Sequence, residues 1–297
     1  SSSITNPVIR QIFEENKNIL WITTDYGINR FNIATKKFQP YYLGYKDKET
    51  FREHSFLATR NSEGLILAAS YKSGIYKFNT KSEDFEPFPI PEIDKNNIIQ
   101  LFFDSSDNLW IVNDKNEIFR LKIKSDKITE KQKITLPADF LHLCYDKKEK
   151  IWFQYENYTL GYYSIQTEKF SDWGSKPYGE LNEVLENEGN ILFATNTGLI
   201  QYNKHTKTES ILLSGIPVLS VYSGTQDILW VGTDSQGIYR ILPPQNYFNT
   251  FTSNNIPELG NYAVRAIYKD AENKLWIGTK GGGVISITYL GATLQQD

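Results

Sequence analysis

The chain has 297 residues, of which 40% are hydrophobic and 23% charged, so it is long and apolar enough to bury a core, and wholesale disorder is excluded. Its formal net charge is −3, and without a basic surplus a nucleic-acid backbone is not an expected partner. Aromatic residues are frequent, with 19 Tyr, 17 Phe and 6 Trp, which favours β-strands.

The termini and the single cysteine limit the cellular context. No apolar run approaches the roughly 20 residues of a membrane span, and the N-terminal SSSITNP lacks the basic and apolar parts of a signal peptide. The chain contains no methionine, so we expect an excised segment of a longer protein. Cys144 lies in the apolar stretch LHLCY, where a buried packing thiol is expected rather than a nucleophile or a zinc ligand.

Seven related segments recur along the chain. In chain order they are NILWITTDYGINRFN, LILAASYKSGIYKFN, NLWIVNDKNEIFRL, KIWFQYENYTLGYYS, NILFATNTGLIQYN, ILWVGTDSQGIYRI and KLWIGTKGGGV. Their anchor positions are spaced by 38 to 46 residues and are Trp21, Leu67, Trp110, Trp152, Leu192, Trp230 and Trp276. A period of this length, built from short strands, is typical of the blades of a β-propeller.

Each repeat divides into four predicted strands. An alternating strand such as VIRQIF or IIQLFF is followed by a polar turn, the Trp-bearing strand, a glycine turn, a third strand such as INRFN, and a weaker fourth strand such as KKFQPY, EKFSDW or NYFNTF. The predicted fold is all-β, a seven-bladed β-propeller of four-stranded antiparallel blades, forming a single domain over residues 1–297. The fourth strand of the last blade is expected either from the tail TYLGATLQQD or from residues 1–5.

The anchor and the glycines have physical roles in this fold. A tryptophan buries about 150–250 Å² and suits the wedge between adjacent blades. A glycine before the third strand suits a turn that needs positive φ, and such glycines stand at Gly27, Gly74, Gly198, Gly237 and Gly283. The glycine-rich stretch of KLWIGTKGGGV is therefore interpreted as a turn and not as a phosphate-binding loop, because the following VISIT reads as a strand and not as a helix.

The pattern D-x-x-x-x-L-W-I-G-T-x-x-x-G-[IVL], preceded by V-R-x-I-Y, resembles the two-component regulator propeller repeat. The segments KDAENKLWIGTKGGGV and QDILWVGTDSQGI carry it most closely, and the resemblance extends from Val8 to Thr288. It implies the periplasmic sensor region of a Bacteroides-type hybrid two-component histidine kinase, whose membrane helix and kinase lie outside this segment. It also implies oligosaccharide ligands from glycan breakdown and control of polysaccharide-utilisation genes. The implied partners are adjacent propeller and sandwich domains of the same receptor, which would form a homodimer.

Catalytic and metal-binding patterns are weak. The three histidines share no short spacing, so neither a zinc pair nor a Ser-His-Asp arrangement is visible. The stretch Asp104–Asn108 begins like a calcium loop but has Leu109 where that loop needs glycine, so a hairpin turn is expected. Acids such as Asp146 and Asp270 recur in predicted surface turns. We expect no cofactor, no metal and no catalytic residue in this segment.

A ligand is expected to bind to the face of the propeller that carries the loops between second and third strands and the loops between successive blades. The long connections are residues 41–55, 171–181 and 252–263. Aromatic rings there would stack on a sugar, and polar neighbours would bind its hydroxyls. The candidate ligand-binding residues are Trp173, Tyr178, Tyr26, Tyr71, Tyr155, Tyr158, Arg52, Asp25 and Asn157. Alternatively, these aromatic residues cover the blade ends or contact a second propeller.

The sequence favours a ligand-sensing module without enzymatic activity of its own. Two alternatives of other classes stay open, namely a protein–protein interaction scaffold and a propeller glycosidase or lyase. Binding and turnover assays with glycan fragments separate the three.

Overall fold

The computed structural model describes residues 3–43, 55–70, 74–90, 93, 98–136, 139–175, 178–242, 252–253, 256–272, 274–290 and 293–295. In these residues the regular structure is almost entirely β-strand, with two short 3-10 turns at Thr225–Asp227 and Pro257–Leu259. The described part of the chain contains no helix with the length and hydrophobicity needed to cross a membrane.

The strands follow the predicted order within each repeat. The first strands are β1 (Ile9–Asn16), β5 (Phe56–Arg60), β9 (Ile98–Phe103), β13 (His142–Tyr145), β17 (Leu181–Asn187), β21 (Val218–Ser223) and β24 (Ala263–Lys269). The second, anchor-bearing strands are β2 (Ile19–Thr24), β6 (Ile66–Ser70), β10 (Asn108–Asn113), β14 (Lys150–Gln154), β18 (Asn190–Thr195), β22 (Leu229–Thr233) and β25 (Lys274–Lys280).

The third and fourth strands complete each repeat. The third strands are β3 (Gly27–Asn32), β7 (Gly74–Asn79), β11 (Glu117–Lys124), β15 (Thr159–Ser164), β19 (Gly198–Asn203), β23 (Ile238–Ile241) and β26 (Val284–Leu290). The fourth strands are β4 (Lys37–Tyr41), β8 (Asp84–Pro87), β12 (Lys127–Thr135), β16 (Lys169–Ser175), β20 (Thr208–Ser214) and β27 (Thr293–Gln295).

Hydrogen bonds join the strands of each repeat into one antiparallel sheet. Over the described residues there are seven sheets, each a run of strands consecutive in sequence, and this confirms the all-β, blade-like fold. The sixth sheet contains β21–β23, and its predicted fourth strand NYFNTF, at residues 246–251, lies outside the described residues.

The tail supplies the fourth strand of the seventh sheet, because β27 pairs with β26. Of the two predicted alternatives, this one is confirmed. Thr5, from the other alternative, bonds to the first sheet, where its backbone N–H donates to Asn29 Oδ1 at 3.1 Å and its hydroxyl lies 3.0 Å from that of Thr24.

The chain forms two compact units, residues 1–241 and residues 242–297. The first unit contains the first six sheets, and the second contains the sheet β24–β27. The single seven-bladed domain over residues 1–297 stays a prediction from the sequence.

Within the first unit, hydrophobic cores lie between successive sheets. Three anchor tryptophans are fully buried there. Each packs against an aromatic ring of the next sheet, in the pairs Trp21–Phe78 at 4.9 Å, Trp110–Tyr163 at 6.0 Å and Trp152–Phe193 at 5.2 Å between ring centroids. Leu67 and Leu192 are buried as completely at the same register. These five anchors therefore fill the space between sheets, as predicted.

The last two anchors are different. Trp230 and Trp276 are each 40% exposed, so the full burial expected of every anchor tryptophan is not found for these two. On the sixth sheet, the exposed apolar side chains also include Tyr222 at 65% and Ile238 at 69%. The opposite face of that sheet is covered, with Val221 and Val231 buried against the fifth sheet.

Candidate functional site

In four repeats an acid six residues before the anchor tryptophan, in the turn after the first strand or at the end of that strand, binds the indole. Asp104 Oδ1 accepts hydrogen bonds from the backbone N–H groups of Ser106 and Asn108, both at 2.9 Å. Its other oxygen accepts from Trp110 Nε1 at 2.8 Å. The same side-chain bond joins Glu15 to Trp21 at 2.9 Å, Asp146 to Trp152 at 3.3 Å and Asp270 to Trp276 at 2.8 Å. The stretch DSSDN is thus a hairpin turn, as predicted, and these carboxylates hold their own repeats together.

The turn between the second and third strands is held by a threonine and a glycine. Thr279 Oγ1 donates to the Gly283 carbonyl at 3.0 Å, and the Gly282 N–H donates to Thr279 Oγ1 at 3.1 Å. Equivalent hydroxyl-to-carbonyl bonds join Thr24 to Gly27, Thr195 to Gly198 and Thr233 to Gly237. All five predicted glycines have positive φ, and the glycine-rich segment joins strand β25 to strand β26, so its interpretation as a turn is confirmed.

Two of the candidate aromatic residues lie inside a core. Trp173 is on strand β16, so the loop predicted to start at residue 171 begins later. Its ring packs against Trp152 at 5.0 Å and Tyr202 at 4.8 Å between centroids. Tyr178 is 5% exposed and packs against Phe193, and burial raises the pKa of its phenol. These contacts favour the alternative in which the two rings cover the space between the fourth and fifth sheets.

Three further candidates share the turn between strands β14 and β15. Asn157 Oδ1 accepts hydrogen bonds from the N–H and the hydroxyl of Thr159, at 3.1 and 2.6 Å. Tyr155 packs against Phe153, and burial raises the pKa of its phenol. Tyr158 has φ +62 and is 44% exposed. Within this turn, Tyr158 is the ring that is open to a ligand.

The remaining candidates lie elsewhere. Asp25 Oδ1 is 2.6 Å from Arg10 Nε, and Tyr26 packs against the core between the first and second sheets. Tyr71 and Arg52 lie outside the described residues. The described candidates therefore fall on one strand, the connection after it and two separate turns. No three His, Cys, Asp or Glu side chains of the described residues are grouped to hold a metal ion.

A cavity of about 850 Å³ lies among the first strands of the six sheets in residues 1–241. Its polar and charged lining includes Arg10, Gln11, Gln100, Ser105, Lys147, Asn182, Glu183 and Ser220. None of these residues was a candidate from the sequence, although Asp25, the ion-pair partner of Arg10, was one. Gln11 and Gln100 stand at the same register, two residues before the partner of the anchor tryptophan. That shared register in VIRQIF and IIQLFF is the signal that could have identified them.

Amide side chains in the cavity wall join neighbouring first strands. Gln11 Oε1 accepts a hydrogen bond from the Ala58 N–H of the second sheet at 3.1 Å. Gln100 Nε2 donates to the Leu143 carbonyl of the fourth sheet. These bonds run from a side chain of one sheet to the backbone of the next, so they set the spacing of the sheets around the cavity.

The fifth and sixth sheets are joined in the same way. Asn182 Nδ2 donates to the Val218 carbonyl at 2.8 Å, and Glu183 Oε2 accepts from the Val221 N–H at 2.8 Å. The other oxygen of Glu183 pairs with Lys147 Nζ at 2.6 Å. The carboxylate is thereby held between a backbone N–H and a lysine, and its charge is balanced at the cavity wall.

Comparisons with known proteins agree with the repeat and the fold. Residues 258–281 match the family model described as "Two component regulator propeller", which confirms the resemblance at the last repeat. No curated protein matches the chain.

Solved structures share the fold at low sequence identity. One is the extracellular domain of the putative hybrid two component system BT3049 from B. thetaiotaomicron, with TM-score 0.63, 22% identity, and coverage of 95% of this chain and 40% of that one. The extracellular domain of the putative one component system BT4673 from B. thetaiotaomicron has TM-score 0.60, 17% identity, and coverage of 95% and 39%. Streptogramin B lyase has TM-score 0.55, 14% identity, and coverage of 96% and 94%. This chain thus spans about 40% of the length of the first two.

Proposed function

We propose that this chain is a ligand-sensing module of a hybrid two-component receptor and is not itself an enzyme. The observation that carries the proposal is the match of residues 258–281 to the two-component regulator propeller. The likeness to an extracellular domain of a putative hybrid two component system, over 95% of this chain, supports it. In this proposal the module lies in the periplasm, and the membrane helix and histidine kinase belong to other parts of the receptor.

The proposed ligand is an oligosaccharide from glycan breakdown, and the proposed output is control of polysaccharide-utilisation genes. Amide, hydroxyl and paired charged groups line the cavity of about 850 Å³, and such groups bind sugar hydroxyls. Adjacent propeller and sandwich domains of the receptor, and a second receptor copy, are the proposed partners. A ligand would signal by binding one arrangement of these domains more tightly than another.

Titration calorimetry and thermal unfolding of the chain with neutral and acidic oligosaccharides test this proposal. A specific ligand should stabilise the chain by about 2.7 kcal/mol at a hundredfold excess over its Kd. Absence of stabilisation with every oligosaccharide would contradict the oligosaccharide part of the proposal and favour a scaffold that binds another protein.

A propeller lyase or glycosidase is the second candidate, because streptogramin B lyase shares the fold over 96% of this chain. The bonds of Asp104, Asp146 and Asp270 to their own tryptophans argue against these acids as catalysts. Product formation from the same oligosaccharides, followed by chromatography, distinguishes the two candidates. Turnover by the isolated chain would favour the enzyme.

A further inference from the structure

We infer that the cavity among the first strands of residues 1–241 is the binding site, and that it takes a neutral polyhydroxylated molecule such as a short oligosaccharide. The inference rests on the proposed sensing function and adds the site and the charge of the ligand. It moves the site away from Trp173 and Tyr178, whose rings are packed between two sheets.

The size and charge of the cavity suit a neutral ligand. Its volume of about 850 Å³ lies in the range of small-molecule sites, about 300–1,000 Å³. Lys147 pairs with Glu183 at 2.6 Å, and Arg10 pairs with Asp25 at 2.6 Å. The lining also includes the Asp104 carboxylate, so its charged groups are two cations, Arg10 and Lys147, and two carboxylates, Asp104 and Glu183, and the wall presents no surplus of one sign to a charged ligand.

Three amides in the wall each have a second polar atom for a ligand. Gln11 Nε2, Gln100 Oε1 and Asn182 Oδ1 make no hydrogen bond to the described residues, whereas the other amide atom of each is bonded to the adjoining sheet. One of these atoms is a donor and two are acceptors. A hydroxyl both donates and accepts, so a molecule with several hydroxyls can satisfy all three.

The same amides connect ligand and fold. Gln11 joins the first sheet to the second, Gln100 the third to the fourth, and Asn182 the fifth to the sixth. A sugar bonded to the second atom of each amide would hold the side chain in the rotamer that makes the bond between sheets. Binding would therefore stiffen the contacts between sheets around the cavity, which is a change that a sensor can transmit.

The first test variant changes one atom in the cavity. Gln11→Glu keeps an oxygen to accept from the Ala58 N–H and replaces the amide donor by a second acceptor. Its matched control is Gln132→Glu, the same change at an exposed position of strand β12. We expect the first to weaken trisaccharide binding by about tenfold or more and the second to leave the affinity unchanged.

The second variant fills the cavity. Leu219→Trp adds an indole at a cavity-lining residue that is 49% exposed, and Ile211→Trp is the control on strand β20, where Ile211 is 66% exposed. Because both positions are exposed, both variants should fold, which circular dichroism and thermal unfolding verify. Leu219→Trp should abolish binding, and Ile211→Trp should not.

Titration calorimetry with maltotriose, cellotriose, xylotriose and the acidic trigalacturonate, each at millimolar concentration, supplies the readout. Binding of a neutral trisaccharide that both cavity variants impair, with both controls intact, supports the inference. Equal affinity in the wild type and the cavity variants would contradict the cavity as the binding site, while the proposed sensing function would still stand. Binding of trigalacturonate alone would overturn the neutral ligand, and binding of none would overturn the inference together with the oligosaccharide part of the proposed function.

Discussion

At the scale of single residues, the repeat signature is a set of side-chain hydrogen bonds. In four repeats an acid six residues before the anchor accepts from the indole, and Asp104, which accepts from Trp110, also caps its turn. The threonine after the anchor is needed because it binds the carbonyl of the turn glycine, as Thr279 does for Gly283. Hydrophobicity alone would not require either residue type.

Asp104→Ala should destabilise the chain by about 2–4 kcal/mol, because it leaves the buried Trp110 N–H and two backbone N–H groups without their acceptor. Urea unfolding followed by fluorescence measures the change. Asp234→Ala, at an exposed turn position, is the control and should stay within about 0.5 kcal/mol of the wild type. Equal effects of the two substitutions would contradict the role of the turn acid.

Burial raises the pKa of the Cys144 thiol to about 12, and Sγ lies 3.4 Å from the Asn182 carbonyl oxygen. The thiolate is the reactive form, so the folded chain should react with a disulfide reagent far more slowly than the unfolded chain at pH 8. Absorbance of the released thiol measures both rates. A folded chain that reacts as fast as the unfolded one would contradict the buried position.

At the scale of elements, one buried carboxylate connects the fourth and fifth sheets. Glu186, on strand β17, has a side chain that is 1% exposed, and its Oε1 accepts from Lys148 at 3.1 Å and from Lys204 at 2.6 Å. Its Oε2 is 3.6 Å from Lys150 Nζ. Burial alone would raise the pKa of Glu186, but the lysines outweigh it and the pKa is lowered.

Glu186→Gln should therefore lower stability by about 1–3 kcal/mol at pH 7, less than for a fully buried pair because Lys148 and Lys204 are partly exposed. A carboxylate with a lowered folded pKa stabilises the fold above its unfolded pKa of about 4.3, and this contribution is lost as pH falls through the folded value. The difference between wild type and variant should thus be constant from pH 6 to 8 and shrink below about pH 4.

Urea unfolding at each pH measures that difference. Glu130→Gln removes an exposed partner of Lys122 and is the control, for which we expect no comparable dependence. A wild-type-to-Glu186→Gln difference that does not change with pH would contradict the lysine-stabilised carboxylate.

The turn between strands β18 and β19 tolerates little change at Gly198. A Cβ added at Gly198 would lie 2.2 Å from the Leu213 carbonyl oxygen, whereas one at Gly215, with φ +71, meets nothing within 4 Å. Gly215→Ala should lower the free energy of unfolding by about 1–2 kcal/mol because of its backbone conformation alone. Gly198→Ala should lower it by more, because the added Cβ would also clash with the fourth strand. Thermal unfolding compares them, and a smaller effect at Gly198 would contradict the close approach of the fourth strand.

At the scale of the whole molecule, the sequence predicts the sheets better than the site. Spacing and alternation predict the strands of each repeat, because the alternating strands and polar turns recur along the chain and the same local bonds recur in several copies. The predicted fourth strand EKFSDW includes Trp173, but the sequence does not predict that the Trp173 ring packs on Tyr202, since that depends on which side chains the next sheet presents. Nor does it predict the incomplete burial of Trp230 and Trp276, because the same motif is found with buried and with exposed anchors.

The sequence does not predict the cavity, for a related reason. Alternation marks which residues of a first strand face a core, but it does not show where the first strands of separate sheets converge. Gln11 and Gln100 are 89 positions apart in the chain and line one cavity only because the sheets are folded.

A crystal structure of the chain grown with the trisaccharide that binds most tightly tests the central claim most directly. From the sequence we expect seven four-stranded repeats, anchored at residues 21, 67, 110, 152, 192, 230 and 276, related by successive rotations about one axis. We also expect sugar density between Gln11, Gln100 and Asn182. Anchors unrelated by such rotations, or sugar bound only at the outer turns, would contradict that claim.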